Sequence, residues 1–340
     1  MKYSVIIPVY NRPDEVDELL ESLTHQGIGN FEVVVVEDGS AVPCRDVVEK
    51  YTEKLTIQYL VKENGGPGPA RNYGVEHSRG EYVLILDSDC VLPEGYLKAI
   101  EKELTENPCD AFGGPDAAHD SFTKVQKAIS YSMTSFFTTG GIRGGKKKGA
   151  LDKFYPRSFN MGIRRDVYQK LNGFSKMRFG EDIDFSYRIV ESGYSSRLFP
   201  DAWVWHKRRT DMGKFFKQVF NSGIARINLT KRHPGTMKLV HMLPMVFTVG
   251  VILLVLLSVI LGMLFGWKWA VVCILPILLY AVLILTDSAI KNKSILIGLI
   301  SVWAAFVQLM GYGFGFLKAW WLRCVQGKDE FTAFEKNFYD

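Results

Sequence analysis

Apolar runs and amphipathic patterns alternate regularly over about the first 240 residues of the chain. Four β-branched runs have the length of buried strands: 4–9, 31–36, 56–61 and 82–86. Helical spacing of apolar residues follows the first three of these runs, at 14–24, 47–55 and 69–77. The alternation predicts an α/β fold with a doubly wound, mostly parallel sheet. Loops that follow the strands of such a sheet gather at one edge.

The pattern changes after about residue 240, where three long runs contain no charged residue: 243–265, 269–285 and 295–317. Each is close to the roughly 20 residues that a membrane-spanning helix needs, so we predict an all-α transmembrane region. Before it, residues 212–229 form an amphipathic pattern that fits either a helix at the membrane surface or one packed on the preceding domain. The predicted division is 1–211, 212–238, 239–320 and a polar tail, 321–340.

Basic residues near these runs indicate how the chain is oriented in the membrane. Their positions around the first two runs are Lys231, Arg232, Lys238, Lys268, Lys291 and Lys293. The positive-inside rule then places the first domain and the second loop on the inner side. Three spans would put the tail outside, although it carries Lys318, Arg323, Lys328 and Lys336. Either the third run re-enters the membrane, or the acidic residues of the tail partly compensate for its positive charges.

Composition refines the expected location of the chain. Of its 340 residues, 47% are hydrophobic, and the net charge is +5. Five cysteines are scattered without metal-ligand spacing, which fits a reducing compartment. The first residues enter a strand without the pattern of a signal peptide. We therefore expect a multi-pass protein of the inner or plasma membrane with a cytoplasmic catalytic domain, and no nucleic-acid partner.

Two carboxylates mark the carboxyl end of the fourth predicted strand. Asp87 and Asp89 follow the run 82–86 directly, and ligands of open α/β sheets bind at that edge. An Asp-x-Asp pair can hold a divalent cation, which in turn holds a diphosphate. Asp-Ser-Asp followed by Pro93 and Gly95 is also typical of a turn, and the residues alone leave both interpretations open.

The glycine-rich loop 64–72 lies at the same predicted edge. Its glycines let the backbone approach a ligand closely, and it leads into Arg71 at the start of a helix. The forked donors of an arginine could bind a base or phosphates. A solvated arginine is the alternative.

Five segments occur in an order and spacing that resemble glycosyltransferase family 2: SVIIPVYNR, VVVVEDGS, NGGPGPARNYG, GEYVLILDSD and GEDIDFSYRI. The resemblance covers roughly the first 230 residues. It implies the GT-A fold and an inverting enzyme that uses nucleotide-activated sugars.

The resemblance implies a donor site and a metal site. Asp38 would contact the nucleotide base, with Glu37 as a departure from the family's paired aspartates, and Asp89 would bind Mg²⁺ or Mn²⁺. Asp87 and His206 would complete the metal ligands. The nucleotide-sugar-binding residues would be Pro8, Tyr10, Asn11, Asp38, Gly66, Arg71, Asp87, Ser88 and Gly114.

On the acceptor side, the resemblance makes Asp182 the catalytic base at the start of a helix, next to Glu181. A helix-capping acid is the alternative for Asp182, and Asp184 is the neighbouring acid to test beside it. Asn160 would lie in the acceptor loop. The segment KQVFNSG lacks the Gln-x-x-Arg-Trp pattern of processive polysaccharide synthases, which argues against polymer synthesis.

Together these features predict a membrane-anchored, metal-dependent glycosyltransferase. It would move a single sugar from a UDP- or GDP-linked donor to a lipid or lipid-linked saccharide in cell-surface glycan assembly. Polyprenyl phosphate as the acceptor is one alternative, and a non-catalytic nucleotide-sugar-binding partner protein is another. The basic, glycine-rich segment 140–149 fits a loop over the site, a contact with lipid phosphates or a solvated loop.

Overall fold

The computed structural model describes residues 1–117, 122–140, 154–207 and 210–333. The chain forms two compact units, Met1–His119 with Lys146–Lys207 and Asp120–Gly145 with Arg208–Asp340. The predicted basic segment 140–149 lies outside the described residues except for Gly140, and so does Lys336 of the predicted tail.

The strands all belong to the first unit: β1 (Tyr3–Val9), β2 (Phe31–Asp38), β3 (Ile57–Lys62), β4 (Tyr82–Leu86), β5 (Cys90–Val91), β6 (Ala111–Gly113), β7 (Asp116–Ala117), β8 (Asn160–Arg164), β9 (Ser196–Leu198) and β10 (Val204–His206). The helices are α1 (Pro13–Thr24), α2 (Arg45–Glu49), α3 (Pro67–Glu76), α4 (Tyr96–Glu106), α5 (Lys124–Thr134), α6 (Phe136–Thr139), α7 (Arg165–Lys170), α8 (Glu181–Glu191), α9 (Met212–Arg232), α10 (Leu239–Phe265), α11 (Trp267–Asn292) and α12 (Ile295–Trp320).

The first unit is built on a seven-stranded sheet in the order β3-β2-β1-β4-β8-β6-β9. The strands β3, β2, β1 and β4 are parallel, and β8 is antiparallel to both of its neighbours. A second, small sheet has the order β5-β10-β7. The predicted α/β fold with a mostly parallel sheet is confirmed. Its parallel strands end at one edge, where the loops of the candidate site begin.

Helices cover both faces of the large sheet. Along β1, Val5 and Ile7 pack into the cluster that contains side chains of α1 and α4, while Ile6 packs on the other face with side chains of α3 and α8. Both faces are therefore buried, which is why the strands are continuous apolar runs rather than alternating ones.

The second unit consists of helices in its described part, and three of these are long and apolar enough to cross a membrane: α10, α11 and α12 with the turn after it, Ile295–Val325. The amphipathic helix α9 packs lengthwise against α12, an arrangement that neither sequence interpretation considered. A Cβ atom on Gly315 would lie 2.0 Å from the Phe220 carbonyl oxygen, and one on Gly223 would lie 2.2 Å from that of Tyr312. Glycine is required at both positions because the two backbones touch there.

Two sequence expectations differ from the structure in extent. The helix predicted at 47–55 is the shorter α2, after which the chain turns, with the Leu55 amide donating to the Tyr51 carbonyl. The second unit also contains Asp120–Gly145, which the sequence interpretation assigned to the first domain. The predicted domain boundaries stay a prediction.

Candidate active site

Asp38 ends β2 and organises the glycine-rich loop. Its Oδ1 atom accepts from the Gly65 amide at 2.9 Å and pairs with Lys62 Nζ at 2.6 Å, and its Oδ2 atom accepts from the Gly66 amide at 2.8 Å. Asp38 and Lys62 are register partners in β2 and β3, so the strand pairing itself brings the charges together. Gly66 has φ = +89°, a left-handed conformation that favours glycine. These contacts thus fix the position of the carboxylate.

Glu37, the departure from the family pattern, is a structural acid. Its side chain accepts from the Ser40 hydroxyl, from the Cys44 amide at 2.8 Å and from the Tyr59 hydroxyl at 2.9 Å. The residue is 2% exposed. Three donors satisfy the buried carboxylate, and they fix the loop that follows Asp38.

Asn11 ties the loop after β1 to the loop after β2. It adopts a left-handed backbone conformation with φ = +54°, which asparagine tolerates better than most residues. Its amide donates to Ser40 Oγ at 2.8 Å, and its Oδ1 atom accepts from the Ala41 and Val42 amides. Pro8 lies within β1, and Tyr10 follows that strand directly.

Arg71 is a buried arginine that bridges two acids from different parts of the chain. Its Nη2 atom donates to Asp87 Oδ1 at 2.8 Å and its Nη1 atom to Glu181 Oε1 at 2.7 Å. The guanidinium also lies over the Phe174 ring, 5.1 Å from its centroid. The carboxylates of Asp87 and Glu181 compensate for burial of the cation and raise the pKa of Arg71 above its ordinary value.

The acids at the start of α8 differ in their electrostatic environment. Burial, reinforced by the neighbouring Asp182, raises the pKa of Glu181 to about 7, although Arg71 acts in the opposite direction. Burial also disfavours ionisation of Asp182, but Arg157 Nε lies 2.6 Å from Asp182 Oδ2 and holds the pKa of Asp182 below its ordinary value. Near neutral pH, Asp182 is therefore ionised while Glu181 is poised to exchange a proton.

Asp89 and His206 form a candidate metal centre. The pairing of β5 with β10 sets His206 opposite Cys90, next to Asp89, and His206 Nε2 lies 3.2 Å from Asp89 Oδ1. The His206 ring stacks on Phe159 at 4.9 Å, which fixes its orientation. Among the described residues, the ligand atoms of Asp89, Cys90 and His206 lie within 4.8 Å of one another.

The donor set fits a divalent cation. A carboxylate oxygen and an imidazole nitrogen are common ligands of such ions. The distance of 3.2 Å between Asp89 Oδ1 and His206 Nε2 is about that between two ligands of one ion. Cys90 is a weaker candidate, because burial raises the pKa of its thiol well above the usual value and its Sγ atom donates to the Phe159 carbonyl. Asp87 lies outside this three-residue group, and its Oδ1 atom pairs with Arg71 Nη2.

Gly114 and Asn160 lie in tightly packed surroundings. A Cβ atom on Gly114 would lie 1.7 Å from the Ala202 carbonyl oxygen. The side-chain Nδ2 atom of Asn160 donates to the same carbonyl at 2.8 Å, and its Oδ1 atom accepts from the Tyr96 hydroxyl at 2.7 Å. Asn160, the first residue of β8, thus joins that strand to Tyr96 and Ala202, and it is 1% exposed.

The family of the chain follows from a comparison with protein-family models. Residues 4–171 match the model of glycosyl transferase family 2. Residues 4–171 are a glycosyl transferase family 2 domain. The match covers the loops that hold Asp38, Arg71, Asp87 and Asp89.

Proteins named as glycosyltransferases are among its relatives. Glycosyltransferase AglE of Haloferax volcanii is 26% identical over 231 residues, 66% of this chain and 73% of AglE. An uncharacterised glycosyltransferase of Haemophilus influenzae is 33% identical over 195 residues, 55% of this chain and 62% of that protein. The poly(ribitol-phosphate) β-N-acetylglucosaminyltransferase TarS of Staphylococcus aureus is 40% identical over 114 residues, 32% of this chain. This chain thus spans only 20% of TarS and less than two thirds of the Haemophilus protein.

Solved structures share the fold. The mannosyltransferase PcManGT of Pyrobaculum calidifontis, in complex with GDP-Man and Mn²⁺, superposes with a TM-score of 0.59 at 17% identity over 94% of this chain and 87% of PcManGT. TarS residues 1–349 with UDP-GlcNAc give a TM-score of 0.51 at 19% identity over 96% of this chain and 93% of that one. These similarities establish the GT-A fold of the family 2 domain.

Contacts in the structure join several of the sequence-predicted residues of the family 2 domain. They link Asp87 to Glu181 through Arg71, and Asp89 to His206. Arg71 itself contacts carboxylates, whereas the sequence predicted a base or phosphate contact. Ser88 is buried between the two aspartates. The functional roles of all these residues stay predictions.

Three residues that contact the candidate site were missed in the sequence. Lys62 directly follows the third predicted strand, 56–61, so its place opposite Asp38 could have been found from parallel register. Arg157 and Phe174 gave no local signal, because they reach Asp182 and Arg71 only through the folded chain.

Proposed function

We propose that the chain is a membrane-anchored, metal-dependent, inverting glycosyltransferase. It moves one sugar from a nucleoside diphosphate sugar to a lipid or lipid-linked saccharide and belongs to cell-surface glycan assembly. The observation that carries this proposal is the Asp87–Arg71–Glu181 bridge, because it joins the Asp-x-Asp motif to the start of α8 at hydrogen-bond distances. A divalent cation at Asp89 and His206 would then act beside an acid pair that can accept a proton.

The donor half of the proposal rests on the loops after β1, β2 and β3. Asp38 would accept from the nucleotide base, Pro8, Tyr10 and Asn11 would pack around base and ribose, and the sugar would lie near Ser88 and Gly114. The fixed position of Asp38 supports its part, since a carboxylate has further lone pairs beside those used by Lys62 and the loop amides. PcManGT and TarS were solved with GDP-Man and UDP-GlcNAc, which supports a GDP- or UDP-linked donor.

Asp89 and His206, with Asp87, would hold Mn²⁺ or Mg²⁺. When bound, the cation would neutralise the diphosphate as negative charge develops on it. Asp87 would also reach the ribose or a sugar hydroxyl, since only one of its oxygens is used by Arg71.

The base of the reaction would be Asp182. The acceptor hydroxyl oxygen attacks the anomeric carbon, the bond from that carbon to the diphosphate oxygen breaks, and its electron pair leaves with the nucleoside diphosphate. The hydroxyl proton passes to the Asp182 carboxylate. The lowered pKa of Asp182 supports this role in one respect, since a base must be ionised before it accepts a proton. Glu181 and Asn160 would line the acceptor side.

A membrane anchor would bring the family 2 domain to a lipid acceptor. The three apolar helices support this part of the proposal, and we propose a multi-pass anchor in the inner or plasma membrane with the family 2 domain cytoplasmic.

Release of nucleoside diphosphate by the detergent-purified protein tests the proposal. The assay compares UDP- and GDP-sugars, with Mn²⁺ or Mg²⁺, with and without extracted membrane lipids. We expect release from one donor, an increase on adding lipid, and a loss of about 10²- to 10⁴-fold in Asp182→Asn. Glu53→Gln, an exposed acid of the same domain, is the matched control. Nucleotide binding without release from any donor would contradict the enzyme and favour a binding protein.

The lipid product identifies the acceptor. A labelled lipid that loses its sugar in mild acid would indicate polyprenyl phosphate, whereas an acid-stable product would indicate a glycosidic bond to a lipid or lipid-linked saccharide.

A further inference from the structure

The three apolar helices of the second unit differ in how much of each is covered by protein. In the most apolar window of α12, 39% of the residues are buried, compared with 11% in α10 and 11% in α11. Leucines, valines and isoleucines of α10 and α11 are largely exposed along their length. The hydrophobic surface of α10 and α11 thus faces outward, whereas a larger share of α12 is used for protein contacts.

α9 runs in the same direction as the second half of α12, with Phe216 and Val219 close to Gly311. Near the start, Phe215 belongs to one apolar cluster with Ile297 and Ala304. Near the end, Ile227 clusters with Ala319. A helix packed so closely along its whole length must share the environment of its partner.

α9 is a poor helix for the hydrocarbon of a bilayer. It carries Lys214, Lys217 and Arg226 along its length and ends with Lys231 and Arg232. Charged side chains within hydrocarbon are strongly disfavoured. If α12 crossed the membrane, these charges would be carried into it.

α10 and α11 form a hairpin, and α12 crosses its open end. Ser258 Oγ donates to the Ala270 carbonyl near the turn of the hairpin. The Phe306 ring of α12 instead lies 5.6 Å from Phe247 and 5.9 Å from Tyr280, far from that turn. The part of α10 from 249 to 265 then extends beyond α12 by about 25 Å at about 1.5 Å per residue, close to the thickness of a hydrocarbon core.

Both ends of α12 are tied to that same open end of the hairpin. Its start follows α11 directly, and Ser288 Oγ donates to Ser301 Oγ at 2.7 Å. After its end, Arg323 Nη1 donates to Asn228 Oδ1 at 2.6 Å, and Lys231 Nζ donates to the Arg323 carbonyl at 2.5 Å. Asn228 and Lys231 lie on α9, shortly before α10 begins.

We propose that, within the described chain, α10 and α11 are the two membrane crossings, and that α12 lies with α9 at the membrane interface on the side where α10 begins. This inference rests on the proposed membrane anchor but is independent of the proposed reaction. The two-span arrangement returns residues 321–333 to the side of the family 2 domain.

The distribution of charged and aromatic residues agrees with this topology. Lys318, Arg323 and Lys328 would lie on the same side as Lys231 and Lys238, as the positive-inside rule requires. The conflict that three crossings create is thereby removed. At the far turn, Trp267 and Trp269 flank Lys268 and are exposed, in keeping with an aromatic belt at the opposite interface.

A native cysteine allows a direct test. Cys324, just after α12, is exposed, while the other four cysteines are buried. A membrane-impermeant maleimide is applied to right-side-out and inverted membrane vesicles that contain the full chain. Two markers are made in a Cys324→Ser background: Thr52→Cys for the family 2 domain and Lys268→Cys for the far turn. Cys324→Ser alone, and labelling after detergent solubilisation, serve as controls.

We expect Cys324 and the Thr52→Cys marker to be labelled in the same vesicle type, and the Lys268→Cys marker only in the other type. Labelling of Cys324 together with the Lys268→Cys marker would overturn the proposal in favour of three crossings. Protection of Cys324 in both vesicle types would also overturn it, because residue 324 would then lie within the bilayer. Labelling of both markers in the same vesicle type would refute the membrane crossing itself, whatever the result of the sugar-transfer assay.

Discussion

The pH dependence of turnover identifies which acid of the α8 pair is the base, and Arg157 provides the perturbation. Arg157 Nε lies 2.6 Å from Asp182 Oδ2, and the Asp182 side chain is 9% exposed. An opposite charge this close lowers the pKa of a carboxyl by roughly 1 to 3 units. In Arg157→Gln that effect is lost while burial remains, so the pKa of Asp182 should rise by at least that much.

The sign of the expected change follows from the role of a base. A base works only when ionised, so activity falls as the pH drops through its pKa. If Asp182 is the base, the acidic limb of the wild-type profile lies below about pH 4, the ordinary value for an aspartate. In Arg157→Gln the limb moves to higher pH by about 1 to 3 units, and Arg157→Lys, which keeps the charge, moves it far less.

The measurement is kcat/KM for nucleoside diphosphate release between pH 4 and 8 at saturating metal, because this parameter reports the free enzyme. An acidic limb near pH 7 that stays in place in Arg157→Gln and disappears in Glu181→Gln would refute our reasoning. The base would then be Glu181, whose pKa is raised to about 7.

Three further predictions concern positions around the site. Replacing Lys62 with Met leaves the buried Asp38 without its ion-pair partner, so the free energy of unfolding should fall by about 3 kcal/mol. This loss is measured as a lower Tm in detergent. An unchanged Tm would contradict a structural role for the pair. Gly114→Ala forces a Cβ atom to 1.7 Å from a carbonyl oxygen and should lower the free energy of unfolding by about 3 kcal/mol or more. The expected result is a loss of folded protein in size-exclusion chromatography. Wild-type yield and Tm would show that the backbone can adjust. Asp89→Ala and His206→Ala should each weaken Mn²⁺ binding by more than about tenfold, measured by electron paramagnetic resonance; wild-type affinity in either variant would remove that residue from the metal centre.

The strands and the candidate site loops could be predicted from the sequence because they depend on local patterns. The run that became β4 was bounded correctly at Tyr82 and Leu86, since a strand buried on both faces is a continuous apolar run ended by polar residues. Asp87 and Asp89 were identified for the same reason. Their position after a central strand follows from the strand itself.

The partners of the site residues could not be predicted in this way. Arg71 joins Asp87 to Glu181, and Glu181 lies 110 residues beyond Arg71 along the chain. Only the packing of α3 against α8 brings Arg71 and Glu181 together. The electrostatic difference between Glu181 and Asp182 depends equally on distant arginines. The grouping of α5 with the C-terminal helices could not be predicted either, because no local pattern reports which helix a distant helix packs against.

The position of α5 affects how a water-soluble fragment could be made. Ala128 and Ile129 of α5 are buried in a cluster with Phe215 of α9 and Ala304 of α12. Expression of residues 1–211 alone would strip α5 of those partners and present its apolar face to water, a surface prone to aggregation. A single cut before α9 therefore does not release a clean catalytic fragment. The excision has to remove the interior segment that carries α5 as well, and rejoin the chain on either side of it.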